Sequence, residues 1–150
     1  MNYAEKLIRG ISNADFIDSE GRATAMLFQF DNVNTRQDGF CECSINWYDN
    51  EEALKLLLEQ KKREDENIYQ FKTGAAILLR CWLDDIINRP NCKDALKYER
   101  AEITENPYHG NLLRKNGLTK QINNMLAASI AMCVEKIEYR EKIPKQPEKN

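Results

Sequence analysis

Apolar and polar residues alternate along several stretches of the chain with the two-residue period of a strand lying on a core. The clearest is 40–47, Phe-Cys-Glu-Cys-Ser-Ile-Asn-Trp, which sends Cys41, Cys43, Ile45 and Trp47 to one face and Glu42, Ser44 and Asn46 to the other. Residues 23–30 predict a strand with Thr24, Met26, Phe28 and Phe30 together, and 95–103 reads as a half-exposed strand. Residues 6–11 form a short apolar run that opens the chain as a strand and is interrupted by Arg9, and Ile68 to Phe71 predicts a brief strand.

Helical spacing governs three other stretches. Asp49 or Asn50 caps a helix whose first turn holds Glu51 and Glu52 and whose end is Lys61-Lys62-Arg63, the polarity a helix dipole prefers. Residues 73–88 place Ala75, Ala76, Leu79, Trp82, Leu83 and Ile86 on one face, and Arg89-Pro90-Asn91 ends that helix. The last helix carries Leu118, Ile122, Met125, Leu126, Ile130, Cys133, Val134 and Ile137 at helical spacing. The expected fold is α+β, a small mostly antiparallel sheet packed against about three helices, one of them a long C-terminal amphipathic helix. Residues 1–143 are read as one domain and 144–150, with two prolines, as a disordered polar tail.

At 150 residues, 31% charged and 42% hydrophobic, the chain has room for one core and shows no apolar run of the length a bilayer requires. Membrane insertion is not expected. The early acid Glu5 and the missing apolar stretch after it do not fit a secretory signal, and five scattered cysteines suit a reducing compartment, so the expected location is the cytoplasm. Cys41-x-Cys43 lacks the four nitrogen or sulfur ligands of a structural zinc site, and neither metal nor cofactor is expected. The net charge of −2 divides into +4 from Leu112 onward and −6 before it, and an acidic body argues against nucleic acid as a partner.

The single histidine, His109, lies in the turn-forming run Asn106-Pro107-Tyr108-His109-Gly110-Asn111, expected as a loop before the last helix. An imidazole that takes either protonation form near neutral pH, surrounded by amides, has the residue types of a functional loop. Arg9, inside an apolar strand, must meet a carboxylate, a cluster of carbonyls or an anionic ligand. Arg22 follows Gly21 at a predicted strand entrance, and Ser44 and Asn46 share a strand face where both can hydrogen-bond a ligand. No Gly-x-Ser-x-Gly elbow or glycine-rich phosphate loop is present.

The ordered pattern Arg9-Gly10-Ile11, Gly21-Arg22-Ala23-Thr24, Ser44-Ile45 and Asn106-Pro107-Tyr108-His109 resembles that of a group of small uncharacterised bacterial proteins. The resemblance implies positions and not a reaction; the setting expected for the module below is a bacterial toxin, defence or mobile-element system. The resulting expectation is a binding or regulatory module in which Arg9, Arg22, Ser44, Asn46, Asn106 and His109 serve a pocket for an anionic ligand or partner. Two enzyme readings stand beside it. Arg9, Ser44 and Glu99 or Glu102 follow the order of an ADP-ribosyltransferase-like fold, and His109 with Arg100 or Arg114 could handle phosphate in an RNase. A third class is self-association through the C-terminal helix, residues 118–143.

Overall fold

The computed structural model describes residues 3–30 and 36–140. Strand β1 (Lys6–Ile11) is followed by β2 (Phe40–Trp47), α1 (Glu51–Glu59), β3 (Gly74–Leu79), α2 (Arg80–Ile87), β4 (Leu96–Arg100), β5 (His109–Lys115), α3 (Lys120–Ala131) and β6 (Val134–Tyr139). The six strands form one sheet in the order β4-β5-β2-β1-β3-β6, antiparallel at every pairing. The class is α+β with three α-helices, and no described helix is long and apolar enough to cross a membrane.

Alternation along the strands separates two faces. Leu7, Ile11, Cys41, Cys43, Ile45, Trp47, Ala76, Leu78 and Leu112 face one side, where Leu83 and Ile86 of α2, Leu126 and Ile130 of α3, and Leu27 and Phe28 close the larger core. On the opposite face, Ala53, Leu57 and Leu58 of α1 cover Ile8, Ala75 and Ile77. Asn50 caps α1 by accepting the Ala53 N–H through its side chain at 3.3 Å, and the Lys61-Lys62-Arg63 run lies beyond the helix end. Gly10 is a glycine because Phe71 packs flat on it, so that a Cβ there would fall 2.3 Å from the ring.

Several expected elements take another form. Residues 25–28 make a 3-10 turn instead of a strand, burying Leu27 and Phe28 while Met26 stays exposed. The predicted helix over 73–88 is β3 followed by α2: Gly-Ala-Ala-Ile-Leu-Leu is buried from both sides between β1 and β6, and a segment apolar all round carries no period of its own. Of the predicted strand at Ile68 to Phe71 only a bridge between Lys61 and Tyr69 forms. His109 opens β5 instead of sitting in a loop. The long C-terminal helix is also corrected. Helix α3 covers 12 residues, Lys120 to Ala131, and Val134 to Tyr139 becomes the strand that supplies hydrogen bonds to the outer side of β3. The expected tail at 144–150 lies outside the described residues.

Candidate functional site

Strands β1 and β2 are in register only at Leu7 with Trp47 and Ile8 with Asn46. Beyond Ile8 they part, and the Arg9 guanidinium fills the gap, donating from Nε to Leu27 O at 3.0 Å and from Nη1 to Ser44 O at 2.8 Å. Of the three partners open to an arginine in an apolar strand, the fold supplies the cluster of carbonyls. Arg9 lies on the side of Leu7 and Ile11, opposite the Ser44 hydroxyl, because one residue along a strand reverses the face.

A cleft of about 570 Å³ opens over the parted strands on the α1 side. Ser44, Asn46, Asn106 and His109 all line it. Asn46 and His109 are direct cross-strand partners, as are Ser44 and Asn111. The Asn106 turn is fastened to the sheet by a relay of amides. Asn106 Nδ2 donates to Asn46 Oδ1 at 2.8 Å, and Asn46 Nδ2 donates to Ala53 O at the start of α1 at 3.0 Å. Asn106 Oδ1 accepts the Tyr108 N–H at 3.0 Å. Both amides are thus consumed in holding the wall of the cleft.

His109 Nδ1 lies 3.0 Å from Ala101 O, and since a carbonyl only accepts, Nδ1 carries the proton. Neutral His109 therefore presents the Nε2 lone pair, for which no partner exists among the described residues. Ser44 is exposed and its hydroxyl is likewise unengaged there. The charged groups of the lining are the carboxylates of Glu59 and Glu105, and the apolar ones include Leu57, Phe71 and Ile103. No lysine or arginine lines this cleft. Arg22 is elsewhere, 70% exposed at its side chain and bound to Glu20 at 2.6 Å and Asp18 at 3.2 Å.

Next to Ser44 the polar row continues onto β5 and β4. Asn111, only 3% exposed, donates from Nδ2 to Glu99 Oε2 at 2.9 Å, while its buried Oδ1 accepts from no described residue. Arg36 also binds Glu99 Oε2, at 2.6 Å, and reaches Asp38 at 3.0 Å and Glu42 at 3.6 Å. Burial raises the Glu99 carboxyl, but hydrogen bonds from Arg36 and Asn111 together outweigh it and leave the group below its ordinary range. The Glu99 hydrogen bond in turn holds the Arg36 guanidinium above its ordinary value.

The arginines of both enzyme readings lie away from the cleft. Arg9 is on the opposite face, as are Arg100, stacked over Trp47 and bound to Asp49 at 2.9 Å, and Arg114, over Phe30. Cys41 and Cys43 are buried core residues, and burial raises the Cys43 thiol. Sequence reasoning did not single out Arg36, Glu59, Glu105 or Phe71. One signal was available for the polar row: His109-x-Asn111 has the same alternation as Glu42-x-Ser44-x-Asn46, which marks two strands sharing a polar face. No protein-family model matches the chain, and neither a curated protein nor a solved structure matches it.

Proposed function

We propose that this chain is a small binding or regulatory module that receives a hydrogen-bond donor of positive charge, with an apolar stem, in the cleft over the parted strands. The observation that carries this reading is the one-sided chemistry of the lining. The only charged groups among the described lining residues are the carboxylates of Glu59 and Glu105, and His109 Nε2, the Ser44 hydroxyl and the Gln60 amide add unengaged acceptors, the last two able to donate as well, beside the apolar surface of Leu57, Phe71 and Ile103. A lysine or arginine side chain of a protein partner has that shape and charge, its carbons meeting the apolar wall and its N–H groups the acceptors. An anion, the ligand expected from the arginines in the sequence, would meet two carboxylates and no cation. A bacterial toxin or defence setting belongs to the same proposal.

Calorimetric titration with end-blocked arginine and lysine peptides, set against inorganic phosphate, tests the reading. Binding of a basic peptide that weakens about tenfold or more in Glu105→Gln and His109→Ala, with thermal unfolding unchanged, is the expected result. Preference for phosphate, or peptide binding indifferent to both substitutions, would overturn it.

A further inference from the structure

Strand β6 ends the sheet, and its outer edge is laid out to pair with itself. Arg140 N–H donates to Thr73 O at 3.0 Å, and the pairs below it run Glu138 with Ala75 and Lys136 with Ile77. Since ladder bonds recur at every second residue, Glu138 and Lys136 turn their backbone groups toward β3. Ile137 between them turns its N–H and C=O outward, where no described residue meets them. Glu135 has no residue opposite it on β3, because the register shifts between Ile77 and Leu78, and this bulge bounds the regular edge on its N-terminal side.

We infer that two copies of the chain associate through β6, antiparallel and two-fold symmetric about Ile137, extending the sheet from one subunit into the next. Charge selects that register. A symmetric pair must place outward-facing residues against one another, which allows centres on Lys136, Ile137, Glu138 and Tyr139; the last sets Glu138 against Arg140 but keeps only the three described residues 138–140 in register, and charge decides among the other three. Centring on Lys136 sets Lys136 against its own copy. Centring on Glu138 sets Glu138 against its copy and Lys136 against Arg140. Centring on Ile137 places Lys136 of each chain opposite Glu138 of the other, twice, in the closely approached type of pair that lies between hydrogen-bonded ones. Both side chains already occupy that face, 2.9 Å apart within one chain, so the pairing completes an alternating ring of four charges.

The other face of the edge fits the same occupant. Ala128, Ala131, Val134 and Ile137 form the apolar side of a cavity of about 580 Å³ alongside β6 that Asp18, Arg22, Glu135 and Lys136 also line, with Met132 82% exposed. Addition of a second β6 brings Ile137 against its own copy and covers the apolar side of this cavity.

Sedimentation of the full chain over a range of concentrations tests the inference. The unaltered chain is expected to dimerise. Lys136→Glu and Glu138→Lys should each weaken self-association about tenfold or more, because each puts like charges opposite one another at two places. Mixing the two variants should restore a dimer, since the chain with two acids then faces the chain with two lysines. Both positions are on the surface and their backbone ladder is untouched, so circular dichroism should be the same for all three chains. A chain that stays monomeric at every concentration, single variants that dimerise as the unaltered chain does, or a mixture that fails to pair would each overturn it. So would a monomer that takes an unrelated extended peptide along β6.

Discussion

The two sides of the sheet are built from the same strands and yet differ in kind. Toward α2 and α3, Cys41, Cys43, Ile45 and Trp47 join Leu7, Ile11 and Leu112 in continuous apolar packing. On the reverse, α1 covers only Ile8, Ala75 and Ile77, and the half made by β2, β5 and β4 carries Ser44, Asn46, His109, Asn111 and Glu99. The apolar side is held by shape. Its polar counterpart is held by groups that satisfy one another, through the amide relay from Asn106 to Ala53 and the Arg36, Asn111 and Glu99 cluster. Where that mutual satisfaction stops, at Ser44 and His109 Nε2, the polar half lines the cleft, while Asn111 Oδ1 is buried beneath it without a described partner. A sheet can thus pack with one face and carry a polar cleft on the other, the division set by a period of two residues.

Substitutions along β2 separate the two faces most sharply. Trp47→Ala is expected to have the largest effect. The indole is fully buried, stacks with Tyr3 and Tyr98 at 4.8 and 5.3 Å between centroids, and crosses Gly110 so closely that a Cβ there would fall 2.3 Å from its Nε1. Its loss should lower unfolding free energy by about 3–5 kcal/mol in urea denaturation. Asn46→Ala, one residue away on the other face, removes no large volume but strands Asn106 Nδ2 and takes from Ala53 O its second donor, and should cost about 1–3 kcal/mol. If Asn46→Ala matched the tryptophan loss, the polar face would be packing the fold as strongly as the apolar one.

Glu99→Gln gives the smallest effect and one that depends on pH. The folded state depresses the Glu99 carboxyl, so its stabilising contribution is complete above the ordinary value of 4.5 and is lost as pH falls through the lower folded value. The stability gap between the unaltered chain and Glu99→Gln should therefore be widest near neutrality and close in acid, measured by denaturation at a series of pH values. A gap that held constant into acid would assign Glu99 a role in packing instead of charge.

Legibility in the sequence followed the same division. Strands β1 and β2, the inward set Cys41, Cys43, Ile45 and Trp47, and a cap at Asp49 or Asn50 could all be read locally, because alternation and capping act over a few residues, and the fold takes Asn50. Ser44, Asn46, Asn106 and His109 were legible as candidates by residue type, and the fold brings these four to one cleft. Arg9 and Arg22 were equally visible in the sequence but do not line it, since the side of a strand an arginine takes and the acids it finds are settled across the chain. The turn formers of Asn-Pro-Tyr-His-Gly predict a loop at His109, yet the turn ends at Tyr108 and the strand begins at once.

What the sequence determined by itself was the periodicity of its amphipathic strands, the start of α1, and the supply of amides and a lone imidazole. Tertiary structure decided the segments with no period of their own. Gly-Ala-Ala-Ile-Leu-Leu fits a buried helix or a buried strand, and Val-Glu-Lys-Ile-Glu-Tyr follows a helix whose spacing it extends. Both became strands because a strand must satisfy its backbone through neighbours: β1 offers one edge to β3, and β3 in turn leaves an edge that only β6 fills. The same long-range pairing sets β5 beside β2, and so puts His109 across from Asn46 and opens the cleft.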